Sequence, residues 1–459
     1  MMMIRRLMLR ASLISTRQLI STRTLHVISR SETNVKPASS TPLNLKKYHL
    51  LYHDLMLPNV YIPLIFFYSN PQELIDKATI PNLLKNSLSQ ALNKYYPFAG
   101  RLRSAGSYVD CNDEGVQFHE ARIACTLSEV LKRAPAKEED KGFGHLFPPR
   151  SIWHKVDESR LMLVQLNHFS CGGIALAVSL AHRIVDGSTS FSFLNYWSSL
   201  SRSPVDEERL AHLHPHFLYE SLPQSSDENL LATQASYPEK HWITTEVLFH
   251  NSKIAELKAN QEIQDKTEGV LADQNYTRNG LVTALLYRCA VAAAATSKSG
   301  VCPKSVLFQS VDVRGMLDPP LPKTTVGNLF VFNTIPTSTM SETMLNPMVT
   351  QMRKEKMKLK GIRNLDGKGT VHLAEKFAKM NHKLYVISSI CNFPLYDVVD
   401  FGWGKPVKAT LVDAPFANCF FMADTPCKDG IKATVNLEEE DMKNFRADSG
   451  LLAYASFLD

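Results

Sequence analysis

The sequence predicts an α/β fold divided into two domains. Its 459 residues are too many for one ordinary hydrophobic core, so two domains are expected. Short β-rich apolar runs alternate with longer runs of helical period. At 44% hydrophobic and 21% charged side chains, the composition is that of a soluble globular protein.

Residues 1–30 stand apart. They hold Arg5, Arg6, Arg10, Arg17, Arg23 and Arg30 and no acidic residue, with Ile4, Leu7, Met8 and Ala11 at helical spacing. That is the pattern of a mitochondrial or plastid presequence. A start placed upstream of the true one, leaving a disordered tail, reads equally well. The rest of the chain carries 45 basic and 45 acidic side chains, which gives no support to a nucleic-acid face. No run approaches the roughly 18 apolar residues of a membrane span.

Folded structure is expected from about residue 50. Residues 60–67 read as the first strand and 80–96 as a helix with Leu83, Leu84, Leu88, Leu92 and Tyr95 on one face. Pro97 stops that helix, and Gly100 leads into short strands around Val109-Asp-Cys-Asn-Asp-Glu-Gly115. Residues 161–166 form another strand. Then Cys171-Gly-Gly173 turns the chain into 174–181, apolar but for Ser179 and so expected to be buried on both faces. This strand runs straight into His182, with Asp186 four residues on and Gly187 to turn the chain. Ser188 is the expected N-cap of an apolar helix through Phe191, Phe193, Leu194 and Trp197. An imidazole at the end of a rigid buried strand is where a general base can be held. Alone, His-x-x-x-Asp is a short motif, and a satisfied core histidine is its bland alternative.

Residues 31–200 are assigned to a first domain, 201–240 to a crossover linker, and 241–459 to a second domain. In the latter, strands are expected at 244–249, 306–313 and 326–333, and helices at 252–260 and 280–295. The basic stretch 352–360 reads as an exposed helix with a solvated face. Asp400-Phe-Gly-Trp-Gly404, two glycines around an aromatic, marks a sharp, tightly packed turn. The eight cysteines form no Cys-x-x-Cys pair and are expected as free thiols. His212-Leu-His214-Pro-His216 lacks thiolate or carboxylate companions and reads as a loop rather than a metal site.

With His182-Arg-Ile-Val-Asp186-Gly187 at mid-chain and Asp400-Phe-Gly-Trp-Gly404 towards the C-terminus, the chain resembles the plant BAHD acyl-CoA-dependent acyltransferases. Tyr96-Pro-Phe-Ala-Gly-Arg101, Val109-Asp-Cys-Asn-Asp-Glu-Gly115, Asp312-Val-Arg314 and Gly327-Asn328 add to the match, which runs from about residue 26 to the end. Within the family it looks most like the monoterpene indole alkaloid acetyltransferases. The resemblance implies two similar-sized domains with mixed sheets and flanking helices, chloramphenicol acetyltransferase-like, with His182 in a channel between them. It implies acetyl-CoA or another acyl-CoA as co-substrate, a small-molecule alcohol as acceptor, no bound cofactor or metal, and a monomeric, cytoplasmic enzyme with no nucleic-acid or membrane partner. Malonyl-CoA as donor and a phenylpropanoid alcohol as acceptor stay open.

In that chemistry His182 takes the hydroxyl proton as oxygen attacks the thioester, and transfer is direct, within a ternary complex. The resemblance further implies that Asp186 turns away from the imidazole to pair with Arg314, and that this pair and Gly187 hold the catalytic loop. Asp400, Gly402, Trp403 and Gly404 become scaffold for the second domain. Ser388 stands where the family usually has Thr, whose hydroxyl can help hold the oxyanion. Ile390 replaces the usual Trp and Asn392 the usual Arg, which implies a wider acceptor pocket. One extra residue, Val398 or Val399, is expected to make a local bulge. Two rivals remain. A lipoyl-dependent acyltransferase shares His-Arg-x-x-Asp-Gly, and Asp76-Lys77-Ala78 matches its lipoyl site, but Lys77 leads into a helix and no Pro/Ala-rich linker follows. A member that binds ligands without turnover is opposed by the intact His182.

Overall fold

The computed structural model describes residues 27–69, 76, 78–103, 108–132, 143–152, 160–202, 205–218, 242–269, 275–298, 300–363, 376–377, 379–412 and 416–458. Most of the presequence-like segment, Lys77 and the linker residues 219–240 lie outside them. In chain order the strands are β1 (Val27–Val35), β2 (Lys47–His49), β3 (Tyr61–Tyr68), β4 (Arg101–Leu102), β5 (Tyr108–Asp110), β6 (Val116–Ile123), β7 (Met162–Phe169) and β8 (Ile174–Ala181). After the helix Gly187–Ser201 come β9 (Trp242–His250), β10 (Ser305–Asp312), β11 (Phe330–Thr337), β12 (Lys383–Ser389), β13 (Lys408–Leu411), β14 (Cys419–Asp424), β15 (Gly430–Glu438) and β16 (Ser456–Phe457).

They form a six-stranded sheet ordered β1-β6-β7-β8-β3-β13, a seven-stranded sheet ordered β11-β10-β12-β14-β15-β9-β16, and the small sheet β2-β5-β4. Both large sheets are mixed. The first has a parallel β6–β7 pair; the second has parallel β10–β12 and β12–β14 pairs. The α/β class with two mixed sheets therefore holds. β13, from the late part of the chain, pairs with β3 and completes the first sheet.

In β8 every residue is buried. Leu176, Val178 and Leu180 pack into the core shared with the helices Ile80–Lys94 and Gly187–Ser201. Ala175 and Ala177 face a second layer with Leu146 and Phe147. The two-residue period of a strand thus commits both faces. The second sheet is also two-faced. Leu307, Ile335, Tyr385, Ile387, Phe420 and Val435 pack against the helix Arg278–Ser297. Between them, Ser310, Phe332, Val386, Ser388, Phe421 and Thr434 are half-buried on the opposite face. Arg278–Ser297 is long and apolar enough to cross a membrane, yet here it is a core helix with Leu281, Leu285 and Ala290 buried.

Several boundaries differ from expectation. The first described strand begins at Val27, ahead of the expected start near residue 50. β1 is an edge strand whose Ser31, Glu32, Thr33 and Asn34 are exposed, so it carries no apolar signal. The first helix of the second half runs Asn251–Thr267, longer than its sequence pattern. The basic helix begins earlier, at Leu345–Met357, and buries Met348, Val349 and Met352, so only part of it is a solvated face. β structure expected from 326 starts at Phe330. The preceding residues give their polar groups to the segment around His182 instead.

Candidate active site

β8 delivers His182 to the end of the first sheet, where its N–H donates to Val60 O at 2.8 Å. Its ring Nδ1 lies 3.1 Å from Val185 O. A carbonyl can only accept, so in the neutral ring Nδ1 carries the hydrogen. Nε2 then holds a lone pair, and among the described residues no hydrogen bond occupies it. The residue is half-buried. Burial lowers its pKa below the usual 6.5, opposed by the nearby polar groups of its own backbone, Val185 and Asn328 and by the charge of Asp186. Neutral imidazole is therefore the resting form near pH 7.

Asp186 faces away from this ring. It meets Arg314 in a bidentate pair, Oδ2 to Nη1 at 2.7 Å and Oδ1 to Nη2 at 3.0 Å. Oδ1 also accepts from Thr189 N at 2.8 Å, and Oδ2 from Leu329 N at 3.0 Å. Burial alone would raise this carboxyl; the Arg314 charge and these bonds hold it below the usual range. Arg314 is 1% exposed, and its remaining hydrogens go to Thr325 O, Gly327 O, Thr189 Oγ1 and Asp312. The helix N-cap is consequently Asp186, not Ser188, because its carboxylate already reaches Thr189 N. Gly187 starts the helix, and a Cβ placed there would lie 3.7 Å from Ile390 Cγ2.

Three further contributors were not among the candidate site residues, and two of them, Asp54 and His53, carried no sequence signal. Asn328 Nδ2 donates to His182 O at 2.7 Å and to Asp54 Oδ1 at 2.8 Å. Asp54 is fully buried, and burial pushes it up to about 7 against the hydrogen bonds of Asn328 and Leu51. His53, its neighbour, stacks edge-on against Phe330, which also lies beside the His182 ring. Burial holds His53 down to about 4. Only Asn328 appeared in any motif, paired with Gly327. Gly327 needs its glycine, with φ at +122° and its Cβ position 3.4 Å from Leu51.

Ser388 lies on the half-buried face of β12, and Ser310 Oγ donates to its Oγ at 3.2 Å. Ser388's own hydrogen stays available for another acceptor. Ile390 is buried, and Asn392 sits at φ 71° with its N–H on Asp424. A left-handed conformation suits Asn better than most side chains.

Asp400 Oδ1 accepts from Gly402 N at 2.9 Å and Gly404 N at 3.0 Å, closing the loop on itself. Phe401 and Trp403 enter the core of the first sheet beside Tyr68 and Trp197. Val398 and Val399 form no strand bulge. Both are buried in that core, and their carbonyls accept from Ser198 and Tyr68. The Asp400–Gly404 motif therefore fastens the late part of the chain to the first sheet, rather than building the second. His216 pairs with Thr325, and no group of metal-ligating side chains occurs among the described residues.

Chemically, the arrangement offers one unprotonated ring nitrogen on a braced loop, with the ring beside Phe330 of the second sheet. It can take a proton from a polarised O–H and return it to a departing group. Comparison with known proteins gives this geometry a context. The Transferase family pattern matches residues 25–452. The chain is 34% identical to 17,18-epoxy-17-hydroxycur-19-ene N-malonyltransferase of Strychnos nux-vomica, covering 93% of this chain and 90% of that protein. It is 33% identical to deacetylvindoline O-acetyltransferase of Catharanthus roseus, over 93% of this chain and 97% of that one. The crystal structure of vinorine synthase superposes with a TM-score of 0.76 at 27% identity, over 93% and 98% of the two chains.

Proposed function

Because the chain belongs to the plant BAHD acyl-CoA-dependent acyltransferases of the Transferase family, we propose that it moves an acetyl group from acetyl-CoA to a hydroxyl of a monoterpene indole alkaloid, with His182 as general base. The observation that carries this reading is the His182 ring, neutral by burial and fixed with Nδ1–H on Val185 O, which leaves the Nε2 lone pair without a hydrogen bond among the described residues.

The acceptor hydroxyl gives its proton to Nε2 as its oxygen attacks the thioester carbonyl. The tetrahedral oxyanion receives the Ser388 hydroxyl, which Ser310 leaves free to donate. Collapse expels the coenzyme A thiolate, which recovers the proton from the imidazolium. A thioester is already activated, so no acyl-enzyme is needed. Asp186 and Arg314 take no proton; they fix the loop. The O-acetyltransferase among the relatives favours acetyl and a hydroxyl. The N-malonyltransferase favours a second reading, malonyl-CoA as donor with a nitrogen acceptor. For residues 27–459 we favour the cytoplasm, with the arginine-rich leader as the competing address.

The test is free-thiol release from acetyl-CoA and malonyl-CoA by the full chain, across hydroxylated alkaloids, alkaloid amines and phenylpropanoid alcohols. Release that needs acetyl-CoA and an alkaloid alcohol supports the proposal. Release only with phenylpropanoid alcohols would overturn the acceptor class, and no release from folded protein would overturn acyl transfer itself.

A further inference from the structure

His182 is anchored at three points. Two lie within the first half of the chain, Val60 O for its N–H and Val185 O for its ring. The third crosses from the second half, where Asn328 Nδ2 donates to the His182 carbonyl at 2.7 Å. The second hydrogen of that amide goes to Asp54 Oδ1 at 2.8 Å, and the Asn328 backbone N–H reaches the same oxygen at 2.8 Å. Asp54 Oδ2 is held in turn by Leu51 N at 2.8 Å. Both amide hydrogens are committed, and this fixes which way the amide faces. Turned over, its oxygen would confront a carboxylate and a carbonyl.

Asn328 and Asp54 are fully buried. The loop from His182 to Asp186 is gripped at its far end by Arg314 and Leu329 N. Among the described residues, only Asn328 grips its near end from the same side. We propose that Asp54 and Asn328 are a positioning pair for the general base: Asp54 orients the Asn328 amide, and Asn328 pins the peptide from which the imidazole hangs. The pair rests on His182 being that base. It touches the His182 peptide rather than reacting atoms, so its effect is on where and in which tautomer the ring sits.

Proton transfer needs the reacting atoms near hydrogen-bond distance, and a displacement of about 1 Å costs on the order of 10²-fold. Asn328→Ala should therefore lower kcat by about 10- to 100-fold, with KM for acyl-CoA and for the alcohol nearly unchanged. Asp54→Asn should lose less, since its amide oxygen still accepts from Asn328 while the Leu51 N–H loses its partner.

The experiment compares the full chain with Asn328→Ala, Asp54→Asn, His182→Ala and His182→Ala/Asn328→Ala. Coenzyme A binding by calorimetry counts the folded protein in each. The expected result is a kcat loss for Asn328→Ala that shrinks to less than about twofold when His182 is already absent, because the amide acts through that ring. Equal losses in both backgrounds, or no loss, would overturn the proposal. A second readout does not depend on turnover. Ring ¹⁵N shifts of His182, assigned by their absence in His182→Ala, should report an Nδ1–H tautomer in the wild type and a shift towards Nε2–H in Asn328→Ala. An unchanged tautomer overturns the positioning role even in an active enzyme, whereas a silent wild type with the expected tautomer shift overturns the acyl-transfer reading alone.

Discussion

At His182 the chain places a titratable ring where burial, not a partner carboxylate, sets its charge. Asp186 lies close in sequence but gives its oxygens to Arg314, Thr189 N and Leu329 N. His182→Ala should thus lower kcat by roughly 10²–10⁴-fold while coenzyme A binding persists, as steady-state kinetics and calorimetry would record. Asp54 behaves in the opposite sense. Its folded pKa is raised to about 7, so the folded chain holds that proton more tightly than the unfolded one. Its contribution to stability is full below the ordinary carboxylate range and is lost as pH rises through about 7. Melting curves at pH 5 and pH 8.5 should show a larger fall in Tm for the wild type than for Asp54→Asn; an equal fall would place the Asp54 pKa in the ordinary range. Ile390 tests the acceptor pocket. It packs beside Gly187 at the start of the loop helix, and Ile390→Trp should raise KM for a bulky acceptor several-fold or more while leaving KM for acyl-CoA alone.

Among the elements, β8, the loop after it and the segment 325–329 form one device. β8 and its exit are legible because a run of strand length that is apolar but for Ser179 must be buried on both faces, and the histidine that follows stands at the strand's end. The segment 325–329 reads as strand because Val326, Leu329 and Phe330 look β-like, whereas Gly327 O and Leu329 N serve Arg314 and Asp186. Asp54 carries no signal at all. It is one acid on a five-residue helix, and its burial is decided by Asn328, 274 residues away. The Asp186–Arg314 pair makes a measurable element-scale prediction. Removing either partner leaves a buried charge, so Asp186→Ala or Arg314→Ala should cost about 3–5 kcal/mol in denaturant unfolding. The double variant should lose clearly less than the sum; full additivity would show that the pair is not coupled.

Across the whole molecule, the two sheets are tied together at several places, and two of these ties hold the site. Arg314 and Asn328 reach from the second half to Asp186 and His182. At the other end, Glu246 on β9 meets Lys408 on β13 at 3.6 Å and Lys432 on β15 at 2.8 Å. The Asp400–Gly404 loop and β13 carry late residues into the first sheet. Length and alternating patterns made the α/β class legible, and the resemblance made the two mixed sheets and the chemistry legible. Neither could assign β13, since a four-residue strand shows no period that names its partner. The proposed mechanism rests on one half-buried, neutral imidazole, His182, moving the proton. The most direct test is kcat/KM for coenzyme A release across pH 4.5 to 9, with wild type and His182→Ala measured side by side. The account predicts that wild-type activity falls on the acid side with an inflection below 6.5, the direction in which burial displaces His182, and that the variant loses both the rate and that limb. A variant with wild-type rate, or one that keeps the same acid limb, would contradict it.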